Sequence, residues 1–387
     1  WGVAQPELLS SLGVDAINPI FSDLIAILAA GEAHQLGWDV FANNPLDPLN
    51  RPHVYGPWWL VVGQMGLVRA DAWWLGLLLL GSFLAAAVIV LAPRNLRSAG
   101  LGILLLASPP VLLAMERGNN DLIIFLLLVS AVWLVTRQTR VGMIGGGALV
   151  VLAAALKLYP LVALPALAVR SASRRVVLWL VGGTGAICLL IVMYSLDVYR
   201  KVAEIAPEPI TIFAYGGKLS IYILTAFPGE RINMLLGGIP LVMFTLWVCW
   251  RWRRSFWNMV PVTGFTAGCF IAGALAWILC YVSTTSFPYR LLLLLLPARL
   301  WLAPGSDGLG NVAVRFQLAI TLLFVWTPFS KHHLLSLNAD DRFYGGSAFV
   351  WMSLGLEYAL ALVVSGTLCF ALVGWGWRRF SREINES

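Results

Sequence analysis

The sequence predicts an all-α polytopic membrane protein with about eleven transmembrane helices. Apolar residues make up 59% of the 387-residue chain and charged residues 12%, against about 45–50% and 25% in soluble domains. A mean hydropathy of +0.82 is spread over the whole length, which excludes a large extramembrane domain, a disordered class and a secreted disulfide scaffold. Apolar stretches of about 15 to 25 residues alternate with short polar connections, and crossing the hydrocarbon core takes roughly 20 residues of helix. One transmembrane domain therefore covers residues 1–387: an outer segment over 1–71, a helical bundle over 72–375 and a tail over 376–387.

Taken in order, the outer segment contains a helix-like run from Phe21 to Leu36 with Asp23 near its start. Between Gly37 and Trp59, Pro45, Pro48, Pro52 and Pro57 forbid regular helix, and the Trp, Tyr and Phe content suits a membrane interface. Pro57 to Val68 reads as a short helix lying along the bilayer surface. Crossings are expected at 72–92, 99–115, 120–136, 142–156, 159–169, 176–194, 234–250, 258–283, 290–302, 312–328 and 348–375. The pieces at 142–156 and 159–169 are short, and Pro160 and Pro165 break the second. Tilted or re-entrant backbone of this kind is tolerated where it lines a cavity.

Charge orients the map. One set of alternate connections carries 15 arginines, among them Arg94, Arg97, Arg137, Arg140, Arg251, Arg299 and Arg378, against three acids. The other set carries the remaining 11 basic and 16 acidic residues. Lys and Arg favour the cytoplasmic side, so the C-terminus is expected in the cytoplasm, and the segment before residue 72 and the loops near 195–233 and 329–347 outside. The basic balance thus reflects topology in a cell membrane and implies no nucleic-acid partner. A chain that starts outside without a signal peptide implies a further helix upstream of Trp1, for about twelve crossings. The cysteines, Cys188, Cys249, Cys269, Cys280 and Cys369, lie in apolar runs without a CxxC pair and read as buried thiols.

The unusual polar residues gather on the outer side. The run from Glu116 to Asp121 (ERGNND) joins two apolar helices with almost no loop, and charges at a helix centre cost roughly 2.5–3.5 kcal/mol to insert. Lys157 in AAALKLYP and Arg290 in FPYRLLLLLL pose the same problem. Each has a plain alternative. Asp23 reads equally as a helix cap, Arg117 with Asp121 as a structural ion pair, and Lys157 and Arg290 as cations snorkelling to head groups. His332 and His333 read as interfacial residues, since no carboxylate falls at ligand spacing beside them. The sequence contains no P-loop, GxGxxG after a strand, HExxH or GxSxG.

The order of FSDL (Phe21–Leu24), NPLDPLNRPHVYGPWW (Asn44–Trp59), ERGNNDLIIFLL (Glu116–Leu127), LAAALKLYPLVALP (Leu152–Pro165) and FPYRLLLLLLPA (Phe287–Ala298) resembles family 87 of the GT-C membrane glycosyltransferases, which include polyprenol-phosphate-mannose-dependent mannosyltransferases. The resemblance implies a GT-C helical bundle with juxtamembrane helices in its first outer loop. It implies transfer of a sugar, mannose or another hexose or pentose, from a polyprenyl phosphate to an extracytoplasmic glycan, glycolipid or protein, with inversion. Asp23 takes the position of the family's first-loop catalytic acid. Arg117, Lys157, Lys218 and Arg290 are candidates for the donor phosphate. Arg51, His53, Tyr55, Asn119, Asn120, Asp121, Tyr289, His332 and His333 are candidates for sugar and acceptor. No cofactor is expected, and without a DxD pair in the first loop no metal either. The chain departs from many relatives at Tyr55-Gly56-Pro57 and at Gly118-Asn119-Asn120, which bears on the donor sugar. Two other readings stand beside the enzyme: a transporter or flippase of lipid-linked or anionic substrates, and a non-catalytic scaffold subunit.

Overall fold

A computed structural model describes residues 4–169, 174–206, 215–216, 239–257, 264–283, 286–302, 311–330, 354–369 and 373. Among these the protein is helical, with no strand beyond an isolated bridge between Tyr215 and Ser286. Of the candidate residues, Lys218, His332 and His333 lie outside the described residues.

The outer segment contributes α1 (Ala4–Ser11), α2 (Ser22–Gln35), a 3-10 turn at Pro57–Leu60 and α3 (Val61–Gln64). Gly31 and Gly63 lie against each other. A Cβ on Gly63 would stand 2.2 Å from the Gly31 carbonyl oxygen, so only glycine lets α3 approach α2 this closely. The turn Arg69–Asp71 then leads into α4 (Ala72–Leu91).

Where one crossing was expected over 99–115, the chain forms α5 (Leu96–Leu106) and α6 (Pro109–Arg117), bent by 57°. Two consecutive prolines have no N–H to continue the first helix but suit the first positions of a new one, and Pro109 and Pro110 occupy those positions. The new helix ends at Gly118, in the left-handed conformation at φ 56°. α7 (Asp121–Thr136) follows at once, then α8 (Arg140–Leu156), whose N-terminus is capped by Thr139 through Gly142 N–H at 3.0 Å. The proline-broken stretch expected at 159–169 is a 3-10 helix, Tyr159–Val169.

Further on come α9 (Arg174–Tyr194), α10 (Leu196–Ile205), α11 (Ile239–Arg251), α12 (Arg253–Trp257), α13 (Phe265–Ser283), a 3-10 turn Pro288–Leu294, α14 (Leu295–Leu302), α15 (Val312–Val325) and α16 (Leu354–Cys369). By length and composition, two described helices can cross a membrane, Arg69–Leu91 and Phe265–Ser283, or four if each bent pair is one span. Shorter apolar helices of 10–17 residues, α7, α8, α11, α15 and α16 among them, accompany these. The chain is therefore a helical membrane protein.

The core forms where α4, α7, α13, α14, α15 and α16 meet around the fully buried Phe83, Phe125, Phe270, Trp277, Trp301 and Phe324. On the other side of α8, its last carbonyls, which a helix leaves without intrahelical donors, are taken up from outside: Trp59 Nε1–H donates to Leu156 O and the Tyr199 hydroxyl to Ala155 O, both at 2.9 Å. The outer segment and α10 thus converge on the end of α8, beside Lys157.

Candidate active site

Five separate stretches bring polar side chains to this point. α2 supplies Asp23, the loop after it Arg51 and Tyr55, the junction of α6 and α7 Asn119, Asn120 and Asp121, and the end of α8 Lys157 and Tyr159. Pro288–Leu294 adds Tyr289 and Arg290. Phe21 adopts φ 62° just before α2, and its N–H donates to the Glu116 carbonyl at 2.8 Å. Gly118 packs against Phe21 and Leu24, where a Cβ would come within 3.1 Å of the phenyl ring. A larger residue at 118 would separate α2 from the ERGNND junction.

Asp23 is buried, its side chain 6% exposed. Its Oδ2 accepts from Asn119 Nδ2 at 2.6 Å and its Oδ1 from Arg51 Nη1 at 3.2 Å. The helix-cap reading of this carboxylate does not hold: α2 has no side-chain cap, and both carboxylate oxygens are directed at side chains. Arg51 in turn donates to Asp47 from Nε at 2.9 Å and Nη2 at 3.1 Å, and to the Ser22 carbonyl at 2.8 Å. Its guanidinium is occupied by the protein itself, with Asp23 at one edge and Asp47 at the other; burial alone would lower its pKa, but the hydrogen bond and charge of Asp47, with the charge of Asp23, outweigh that and raise it.

The second carboxylate, Asp121, is completely buried. Its Oδ1 accepts from Lys157, whose side chain is 10% exposed, and from the Tyr159 hydroxyl at 2.8 Å. The ion pair expected between Arg117 and Asp121 is therefore replaced by one between Lys157 and Asp121. Arg117 turns to Asp15, donating to its carbonyl at 3.1 Å and lying 3.9 Å from its carboxylate. Lys157 does not snorkel: the rings of Tyr55, Tyr159 and Tyr289 surround its ammonium at 5.6, 5.9 and 6.0 Å from their centroids, within the range of cation–π attraction. Asn119 joins the two acids, since its Oδ1 accepts from Asp121 N–H at 2.9 Å while its amide holds Asp23.

Arg290 donates to Ser286 Oγ at 3.1 Å, and its Nε is buried without a partner. Asp121 Oδ2 and both side-chain polar atoms of the fully buried Asn120 likewise have no partner. Buried polar groups are almost always hydrogen-bonded. Donors and acceptors left open within one cluster are what a site for a hydroxyl-rich, anionic ligand requires. Burial, then the charges of Asp23 and Asp121, holds the Tyr55 phenol well above the ordinary tyrosine value, so it is a neutral O–H at neutral pH.

His53 behaves differently. It is packed between Phe41 and Tyr55, with ring centroids 5.4 and 5.7 Å away, and its Nε2 lies 3.4 Å from the Gly56 carbonyl. Burial pushes its pKa down to about 4, which makes it a neutral wedge inside the loop. Sequence reasoning missed Asp47, Tyr159 and Ser286. Asp47 was legible from its i,i+4 spacing to Arg51, and Tyr159 from lying two residues beyond Lys157. Nothing in the sequence singled out Ser286. Among the described residues, no group of three or more His, Cys, Asp or Glu is arranged to hold a metal ion.

The family model described as glycosyltransferase family 87 matches residues 54–276. No curated protein and no solved structure matches the chain.

Proposed function

Starting from the chain's membership of glycosyltransferase family 87, we propose that it moves a sugar from a polyprenyl-phosphate donor to an extracytoplasmic acceptor, with inversion and Asp23 as general base. The observation that carries the reading is the pairing of a buried carboxylate, Asp23, fixed by Arg51 and Asn119, with a cationic cluster of Lys157 and Arg290 across Asp121. In this reading the acceptor oxygen attacks C1 of the sugar from the face opposite the phosphate. Its proton passes to Asp23 as the new C–O bond forms. The old bond breaks, and its electron pair leaves with the polyprenyl phosphate. General-base help is worth about 10²–10⁴-fold.

Charge grows on the departing phosphate, and fixed cations aimed at that charge stabilise the transition state more than the ground state. Lys157 and Arg290 fill this role; Arg117, turned to Asp15, stands further back. The open atoms of Asn120 and Asp121, with the Tyr55 and Tyr289 hydroxyls, read the sugar. The donor sugar is mannose or another hexose or pentose, and the acceptor a glycan, glycolipid or protein. The fold is the GT-C bundle in the plasma membrane, with this site on the outer face and the C-terminus in the cytoplasm. A lipid-carried donor also accounts for a sequence without nucleotide-binding motifs, and the reading is of metal-independent transfer.

Mass spectrometry of lipids co-purifying in mild detergent tests the donor class. Wild type is expected to retain polyprenyl phosphate or its glycosylated form, and Arg290→Ala and Lys157→Ala to lose it. Bulk phospholipid alone in all three would overturn the donor assignment.

A further inference from the structure

Apart from the polar cluster, a groove of about 370 Å³ runs between the segment before α2 and the start of α4. Its walls are largely apolar, with Ile17, Ile20, Phe21, Ile25 and Trp73 among them. Two features point to an occupant. First, Ala72 and Trp73 are the opening residues of α4 within the membrane-competent stretch Arg69–Leu91, so the groove lies where a span meets the interface. The exposed Trp73 and Trp74 suit the head-group level. Second, Glu116 lines the groove, is 8% exposed, and uses only half of its carboxylate: Oε1 accepts from Ile17 N–H at 3.1 Å, and Oε2 is buried without a partner.

We propose that this groove binds the chain of a neutral, hydroxyl-bearing lipid, with a head-group hydroxyl donating to Glu116 Oε2. An apolar chain matches the walls. A hydroxyl supplies the donor that the free carboxylate oxygen lacks. An anionic head group fits poorly. The cation at the groove, Arg69, is already engaged by Glu32 at 3.3 Å and by the Leu46 carbonyl at 3.2 Å.

The site has a mechanical link to the polar cluster. Ile17 and Phe21 both hang on Glu116 through their N–H groups, and Phe21 stands two residues before Asp23. The proposal requires only that the chain resides in a bilayer, and it stands whether or not the transfer reading does.

Photo-crosslinking tests it on the full chain in detergent micelles, using a monoacylglycerol with a diazirine in its tail and, for comparison, the methyl ester of the same acid. Labelling is expected on residues 16–25 and 69–73, equally in wild type and in Asp23→Asn. The monoacylglycerol should exceed the ester by about five-fold there, the worth of one hydrogen bond near 1 kcal/mol, and Glu116→Ala should erase that preference. Ala16→Trp and Ala70→Trp, substitutions at a half-buried and an exposed lining position respectively, should block the labelling while leaving that on the exposed Leu77 and Leu78 unchanged. Equal labelling by the two probes in wild type, labelling no stronger than on Leu77 and Leu78, indifference to both Trp substitutions, or stronger labelling by an anionic lysophospholipid probe would each overturn the assignment.

Discussion

Removing one member of the Lys157–Asp121 pair is the perturbation whose cost the structure fixes best. Asp121 is fully buried and Lys157 nearly so, and stranding one charge of a buried pair typically costs about 3–5 kcal/mol. In Lys157→Met the carboxylate keeps the Tyr159 hydroxyl at 2.8 Å but has no other side-chain donor, so a loss of about 3 kcal/mol is expected. In Asp121→Asn the amide still accepts from Tyr159, while Lys157 loses its counter-ion and remains among three aromatic rings. That variant should lose a similar amount. The double variant carries neither charge, so it should be more stable than the sum of the single losses allows, by about 2–3 kcal/mol. Reversible unfolding in mixed micelles, run as a double-mutant cycle, measures this directly. Losses that add to within about 0.5 kcal/mol would refute the argument that the two charges are held in the membrane by one another.

Asp23→Asn should lower the transfer rate by about 10²–10⁴-fold and also cost some stability, because the amide oxygen can accept from only one of Arg51 and Asn119 while its NH2 faces the other donor; a rate within a few-fold of wild type would remove Asp23 as the base. Arg51→Lys cannot span Asp47 and Asp23 together, and misorientation of a catalytic group by about 1 Å costs on the order of 10²-fold, so kcat should fall more than KM rises in steady-state assays. His53 is buried neutral with a pKa near 4 against the ordinary 6.5: the unfolded chain takes up a proton that the folded one refuses, so its contribution is complete above about pH 6.5 and falls away toward pH 4, by at most about 3 kcal/mol. A His53→Asn variant should show a shallower acid limb in unfolding scans over that window, and superimposable limbs would contradict the burial. Gly63→Ala should destabilise the outer segment by about 1–3 kcal/mol or more through overpacking, seen as faster limited proteolysis between Gln35 and Pro57.

The sequence carried the polar outer cluster as a list of costly charges but not its pairing. Lys157 and Asp121 are separated by 36 residues and Asp23 and Asn119 by 96; no local periodicity encodes such partners, and only the packing of α2 on the ERGNND junction makes them. Neighbouring Arg117 was the natural partner for Asp121 in a helical reading. The helix boundary at Gly118 turns it to Asp15 instead. Asn119 was read as a sugar contact, yet its amide is committed to Asp23 because the left-handed Gly118 swings it beneath α2. Local signals fared better: the prolines at 160 and 165 foretold a break in regular helix over 159–169, though not its 3-10 form, the four loop prolines the irregular segment before Trp58, and the run from Phe21 the helix that bears Asp23. The break at Pro109-Pro110 was written in the same way, but the apolar run across it hid the bend.

The contact between Gly31 and Gly63 sets the geometry of more than two short elements. α3 follows the aromatic turn at Pro57–Leu60, and its backbone touches the helix that bears Asp23 with no side chain between them. The carboxylate is consequently held at a fixed distance from that aromatic turn, as a needle is held on a gauge. In the proposed transfer, an acceptor hydroxyl reaches it only when its own carrier presents it at the level of that turn. On that proposal, spacer length between membrane anchor and hydroxyl becomes a criterion of selection, independent of any contact the sugar makes.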